Sequence, residues 1–278
     1  MKVKKIVLAM TIVWACAVSA QDYPLGIRAQ AMGGSGVSLA KDAEGQYHNP
    51  ALLADLTTFN ATLFYSRLFG LRELPLSSAA VAGRLGKFGL GGSVIRLGHD
   101  LFHEQLFQFA LAHAWQFRTA RPGAGTSSMS FGMQFVLKQT RIAQYGEQQT
   151  LLVNTGVLAH LSEQWAWGMA AGNLLGAKTG GTQERLPRHV TLGLSYAPDA
   201  RFTAQFDLYK QSDFSPEWRI GFEVGVLAPL LLRLGINENP DRFTCGLALL
   251  TRLLIVHVTT FSHVDLGWTQ QMAITLRR

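Results

Sequence analysis

The run Gly33-Gly34-Ser35-Gly36 is the first place in this chain where the backbone itself could do chemistry, because closely spaced glycines can cradle a phosphate. A phosphate loop also needs a preceding strand and a following Gly-Lys-Ser/Thr. Neither accompanies this run, so it does not read as a nucleotide site. The eight histidines do not cluster. Their positions put His113 and His257 on outward faces and His48, His103 and His263 in loops or in the N-terminal segment. Thr259 and Ser262 lie near His257 in sequence. A hydrolytic site needs a hydroxyl, an imidazole and an orienting group together, and nothing completes that set. No catalytic, cofactor-binding or metal-ligating residue is assigned, and no cofactor is expected. Asn60-Ala61-Thr62 is a chance match to a glycosylation site.

The N-terminus has the parts of an export signal. Lys2, Lys4 and Lys5 form a positive region, Ile6 to Val13 an apolar core, and Val18 and Ala20 fit a cut before Gln21. Residues 1–20 are therefore expected to be a signal peptide. Cys16 follows Val13-Trp14-Ala15, and the bulky Trp14 argues against lipoprotein processing. After cleavage only Cys245 remains, so no internal disulfide and no zinc spacing is available. Three lysines leave with the signal, and the formal charge falls from +7 to +4. The remaining cations are scattered, which argues against nucleic acid as a partner. The most apolar stretch, Leu247 to Val258, contains Arg252 and is too short for a helical span of about 20 residues.

What must position any site is a set of about fourteen short segments in which apolar and polar residues alternate. In 216–227, Trp218, Ile220, Phe222, Val224 and Val226 take one face. Glu217, Arg219, Gly221, Glu223 and Gly225 take the other. Similar alternation sets Phe131, Met133 and Phe135 against Gly132 and Gln134, and Phe206 and Leu208 against Gln205 and Asp207. The fold class implied is all-β: a transmembrane antiparallel barrel of about 14 strands with a short helical N-terminal plug. Its apolar face would meet outer-membrane lipid, and its polar face would line a lumen through Gln134, Gln205, Asp207, Arg219 and Glu223. Trp115, Trp165, Trp167, Tyr196 and Phe202 fall at one set of strand ends, and Trp218 and Trp268 at the other, as two interfacial girdles would require. With a periplasmic N-terminus, connections alternate between short periplasmic turns and longer external ones. Arg118–Thr126 is the exception, a long periplasmic turn.

Residues 21–56 differ from the rest, being rich in Gly, Ala, Asp and Asn. A short helix is expected over Val37 to Tyr47, capped by Ser35 and stopped by Asn49-Pro50. Inward residues such as Gly89, Gly91, Gly168, Gly221 and Gly225 are small and leave room, which a barrel of this width must fill. The expected division is 1–20 signal peptide, 21–56 N-terminal hatch, and 57–278 barrel. Asn49-Pro50-Ala51 is expected to pack against Gly221 and Gly225.

A family resemblance rests on these residues. Arg28, Ala31-Met32-Gly33-Gly34, Val37, Leu39-Ala40, Asp42-Ala43 and Asn49-Pro50-Ala51-Leu52 together resemble the opening of the FadL superfamily. His263 with Asp265-Leu266-Gly267-Trp268-Thr269-Gln270 is similar to a motif in its PorV/PorQ-like branch. The resemblance implies a fourteen-stranded barrel whose hatch carries Arg28, Gly33, Gly34, Asp42, Asn49, Pro50 and Ala51. It implies a non-enzymatic outer-membrane role in type IX protein secretion or surface attachment, with secretion components or exported proteins as partners. The alternative it implies is a FadL-like channel for hydrophobic small molecules. Two departures stand out. The chain is shorter than FadL transporters, and it ends in Leu276-Arg277-Arg278 where a terminal aromatic is usual.

Overall fold

The computed structural model describes residues 23–39, 42–117, 127–179, 184–239 and 241–278. The expected signal peptide and the Arg118–Thr126 turn lie outside the described residues. Alternating side chains close fourteen strands into an antiparallel barrel. In chain order they are β1 (Asn60–Arg67), β2 (Pro75–Leu85), β3 (Phe88–Gly98), β4 (Phe102–Phe117), β5 (Ser127–Ile142), β6 (Gly146–His160) and β7 (Trp165–Gly172). After a small hairpin, β8 (Lys178–Thr179) with β9 (Glu184–Arg185), come β10 (His189–Tyr196), β11 (Phe202–Gln211), β12 (Glu217–Leu227) and β13 (Leu230–Asn237). β14 (Arg242–Leu250), β15 (Leu254–His263) and β16 (Gly267–Arg277) complete the wall. β16 returns to β1 in continuous register from Arg277 opposite Asn60 to Gln270 opposite Arg67. Closure pairs β16 back to β1, and a closed ring of strands is what a β structure in hydrocarbon requires.

Period-two patterning fixes which side of the wall each residue faces. Phe131, Phe135, Leu192, Phe206, Leu208, Phe222, Met272 and Ile274 are all outward and exposed. Their inward neighbours Ser130, Gln134, Thr191, Gln205, Asp207, Glu223 and Gln271 are buried. A soluble protein does not expose so continuous an apolar band, whereas lipid solvates it.

Four expectations are corrected. His257 points inward and is buried, because Val256 and Val258 carry the outward parity of β15. His103 lies on β4, not in a loop. The lengths of the connections do not sort cleanly by end. Residues 99–101, 143–145 and 264–266 link strands at the expected external end and are as short as many turns at the other, so 68–74 and 173–188 are the only extended ones among the described external connections. Finally, no helix runs from Val37 to Tyr47. The N-terminal segment instead forms α1 (Ile27–Ala31) and two 3-10 turns, η1 (Ala43–Tyr47) and η2 (Pro50–Asp55). Ser35 does not cap a helix; its hydroxyl donates to the Met32 carbonyl at 2.6 Å. Asn49-Pro50 begins η2 rather than stopping a helix: Asn49 accepts from the Ala51 amide at 2.9 Å, and Pro50 takes the first position, where its missing N–H is no loss.

One stretch of wall is thin. β7 pairs with β6 only between Thr155 and His160, and the rest of β6 is flanked by the chain after β7. There the Leu174 amide donates to the Val153 carbonyl at 2.8 Å, and Thr150 meets Thr179 at 3.3 Å.

The facing assignment gives a direct test. Phe206→Arg places a charge mid-strand on the lipid face, at a cost of about 2–4 kcal/mol at the midplane. The heat-modifiable, folded fraction after refolding into vesicles should fall sharply, while Phe206→Leu leaves it near wild type. Equal yields for the two variants would show that Phe206 does not face lipid.

Candidate functional site: the occupied lumen

Residues 23–39 and 42–56 lie inside the barrel, and their backbone runs against the wall at glycines. A Cβ at Gly89 would overlap the Leu53 carbonyl, one at Gly132 the Ala51 amide, and one at Gly156 the Asn49 side chain. At Gly168 it would strike the Val37 carbonyl, at Gly221 Met32, and at Gly235 the Gly33 amide. Two of these glycines pair with two others across adjacent strands, Gly132 with Gly156 and Gly221 with Gly235. The result is a belt of missing side chains into which the segment fits. Gly33 and Gly34 of the segment adopt φ of 72° and 82°, a left-handed turn that side-chain-bearing residues disfavour. Asn49-Pro50-Ala51 therefore seats on Gly132 and Gly156, not on Gly221 and Gly225. Gly221 instead receives Met32 and Ser35, and Gly225 faces only Arg201.

Polar wall residues then satisfy the backbone of the segment, whose turns cannot do so internally. Asp207 accepts from the Gly36 and Val37 amides at 2.7 and 3.0 Å. Gln205 donates to the Leu39 carbonyl at 3.0 Å, Arg219 to Gly34 at 3.4 Å, and Gln134 to Gln46 at 3.1 Å. Asn49 donates to the Val37 carbonyl at 2.8 Å and to the wall carbonyl of Val157 at 3.0 Å. Thr244 bridges the Gly33 amide and the Ala31 carbonyl at 2.8 and 3.0 Å. All five expected lumen residues are buried.

Arg28 makes the strongest single contact. Its guanidinium grips Glu223 through two nitrogens at 3.0 and 3.1 Å, and Arg233 reaches the same carboxylate at 2.7 Å. Arg233 also meets His257 at 3.0 Å. One carboxylate thus holds a segment cation and a wall cation, with geometry suited to a bidentate pair. Asp42 and Glu44 lie in the same neighbourhood. Burial raises the Asp42 carboxyl above its ordinary range, an effect that Arg28 and Arg233 oppose. Burial, reinforced by the Asp42 charge, pushes Glu44 up to about 8. Glu44 Oε2 accepts from the Ile27 amide at 2.9 Å, fixing the start of α1.

Sequence reasoning missed Thr244, Arg233, His257 and Glu44. Arg233 and Thr244 lie on the inward parity of their strands, so the alternation rule itself could have found them. Nothing in sequence marks Glu44, since its role comes from where η1 lands.

The lumen above the segment is two-sided. On the β1–β6 side the inward residues Phe64, Leu76, Ile95, Leu106, Val136 and Leu152 form one apolar cluster with Leu25 and Ile27. On the β10–β12 side stand Thr191, Asp207, Tyr209 and Arg219. Between them lies a cavity of about 110 Å³, toward the end that carries connections 68–74 and 173–188. The expected uniformly small, polar lumen is corrected by this apolar half. The large inward residues occur where the strands rise above the segment.

A closed barrel with a lipid-facing exterior and a lumen occupied by its own N-terminal segment defines the class: an outer-membrane β-barrel. No protein-family model and no curated protein matches the sequence. Among solved structures the fold is similar to the toluene transporter TbuX of Ralstonia pickettii, with a TM-score of 0.58, 12% identity, and coverage of 91% of this chain and 98% of that one. It is similar to the toluene transporter TodX of Pseudomonas putida, with a TM-score of 0.54, 11% identity, and coverage of 92% and 97%. A FadL homologue of Pseudomonas aeruginosa gives a TM-score of 0.51, 10% identity, and coverage of 90% and 97%. The fold is therefore that of FadL-type barrels.

Two predictions follow from the geometry. Gly156→Ala should displace Asn49 and release the segment, seen as rapid protease cleavage within residues 23–56 while the barrel stays folded. Gly225→Ala, whose Cβ would sit 3.5 Å from its nearest neighbour, should leave the segment protected. Equal protection in both variants would contradict the belt. The second concerns pH. The Glu44 carboxyl titrates near 4.5 in water and near 8 when docked, so docking is favoured at low pH and weakens as pH rises through about 8. Protease protection in the wild type should fall as pH rises from about 5 to about 8 and change little above that. In Glu44→Gln the fall should be much smaller, the remainder coming from Asp42, and an unchanged slope in that variant would exclude Glu44 as the main source.

Proposed function

We propose that this chain is a non-enzymatic outer-membrane channel for hydrophobic small molecules, with residues 23–56 as its hatch. The observation that carries this reading is the apolar half of the lumen directly above the segment. Of the apolar cluster that forms it, Leu106, Val136 and Leu152, with Leu25, line the cavity, and an apolar solute leaving water gains roughly 25 cal/mol per Å² of apolar surface buried there. The likeness in fold to two toluene transporters supports the same class of solute. The thin wall beside β6 supplies a sideways route from that cluster into lipid, and Arg28, Gly33, Gly34, Asp42, Asn49, Pro50 and Ala51 serve as the hatch motif.

A second reading, a PorV/PorQ-like role in type IX secretion or surface attachment, draws support from the short connections at 99–101, 143–145 and 264–266. They offer little surface for gathering a small solute from outside. The partners would then be secretion components or exported proteins.

The test is uptake. Vesicles or cells carrying the barrel should take up a monoaromatic hydrocarbon faster than empty controls. Leu106→Gln with Val136→Gln should slow uptake at least several-fold without loss of heat-modifiable barrel, since each buried polar amide adds about 1–3 kcal/mol of desolvation. Uptake equal to empty controls, together with recovery of secretion components in a pull-down, would favour the second reading.

A further inference from the structure

Residues 173–179, which follow β7, lie along the part of β6 that β7 leaves unpaired. This strap is tied to β6 at three places. The Leu174 amide donates to the Val153 carbonyl at 2.8 Å, Thr150 meets Thr179 at 3.3 Å, and the Asn173 amide donates to Asn154 Oδ1 at 2.9 Å. Asn173 is the hub of the strap. Its backbone sits in the left-handed region at φ 52°, which asparagine tolerates better than most residues. Its Oδ1 accepts from the Ala177 amide at 2.8 Å, and its Nδ2 donates to the Leu186 carbonyl at 2.8 Å.

From Asn173 a chain of side-chain amides runs along the inner wall to the hatch. Asn154 and Gln134 stand opposite each other on β6 and β5. Asn154 Nδ2 donates to Gln134 Oε1 at 2.8 Å, and Gln134 Nε2 donates to the Gln46 carbonyl in η1 at 3.1 Å. The second hydrogen of Gln134 reaches Gln108 at 3.2 Å. Every link donates toward the hatch. Asn154 and Gln134 each accept on one side and donate on the other, so both neighbours fix their orientation. Gln134 and Gln46 are fully buried in this arrangement. Withdrawal of η1 takes the acceptor from Gln134 and admits water in its place. Water then competes for each bond behind it, and a hydrogen bond open to that exchange holds little.

We infer that Gln134 and Asn154 are positioning residues that couple the hatch to the strap: the strap is held against β6 while η1 is docked and loosens when η1 withdraws. The inference rests on the channel reading for its purpose, since it opens the sideways route beside β6 only with the hatch displaced. The same two segments meet again in the apolar cluster, where Leu186 packs with Leu25 and Ile27, and Ala177 lies against it. Apolar packing tolerates a small slide. A hydrogen bond is lost when its partners move apart by about 1 Å, so the amide chain is the sharper of the two links.

Amide hydrogen exchange of the purified full barrel tests the coupling. Gly235→Ala pushes on Gly33 from β13, away from β5 and β6, and faster exchange at Gly36 and Val37 shows that the hatch has moved. Leu174 and Ala177 should then exchange at least about tenfold faster than in the wild type. In a Gln134→Leu background, adding Gly235→Ala should change them by less than about twofold. Coupling is reciprocal. Asn173→Gly keeps the left-handed backbone but removes the hub, and it should speed exchange at His48 and Asn49, whose amides bond to Gly45. Heat-modifiable mobility checks folding, and Arg28→Gln replaces Gly235→Ala if that barrel does not fold or its hatch stays protected. Strap exchange unchanged once the hatch has moved, an equal response with and without Gln134, or hatch exchange unaffected by Asn173→Gly would each overturn the coupling. Exchange is read without solute, so lost uptake with the coupling intact would count against the channel reading alone.

Discussion

The closeness of the N-terminal backbone to the barrel wall is the constraint on which the rest depends. At Gly132, Gly156, Gly168, Gly221 and Gly235 there is no room for even a methyl group, because main-chain atoms or short side chains of residues 31–51 occupy the space. Such contact removes water from both surfaces, so every buried amide and carbonyl of the segment needs a new partner. An unpaired one costs about 1–3 kcal/mol. Asp207, Gln205, Gln134, Arg219, Thr244 and Asn49 are those partners. Absent side chains set how near the segment comes, and polar side chains on neighbouring strands set its register.

Electrostatics then decides how firmly the segment is held. Glu223 lies between Arg28 and Arg233, and removing Arg28 would leave a buried carboxylate with one cation fewer. The same burial that strengthens this contact works against the charges of Asp42 and Glu44. A neutral Glu44 suits the docked segment, and an ionised one opposes it. The same segment also lines the cavity, through Leu25, Gly34, Val37 and His48. The two-sided lumen has a plain physical sense: the β10–β12 side satisfies the segment's backbone through hydrogen bonds, and the β1–β6 side packs against its Leu25 and Ile27.

Much of the wall was legible in the sequence because period two leaves a signal in every strand. The barrel has the expected fourteen wall strands, the segment 216–227 is a strand over Glu217–Leu227, and Phe206 and Gln205 face as alternation requires. Gln134, Gln205, Asp207, Arg219 and Glu223 were identifiable as inward for the same reason. His257 was misplaced because apolar neighbours on both sides obscured its parity. The N-terminal segment was legible only as a region unlike the others. Its turns are stabilised by contacts with strands more than a hundred residues away, such as Asn49 with Val157 and Arg28 with Glu223. Local propensity favoured a helix over Val37 to Tyr47, and the wall imposed a bend at Val37–Ser38 and a 3-10 turn over Ala43–Tyr47 instead. Which glycines would meet Asn49 depended on strand order around the barrel, which spacing in the sequence does not encode.

Backbone hydrogen exchange of the segment in the folded, membrane-embedded barrel tests the central claim most directly. The Gly36 and Val37 amides donate to buried Asp207, and the Gly33 amide to Thr244, so all three should exchange orders of magnitude more slowly than in a free peptide. Asp207→Ala should release the first two while leaving the strands protected. Exchange of all three amides at free-peptide rates in the intact wild-type barrel would contradict a docked hatch.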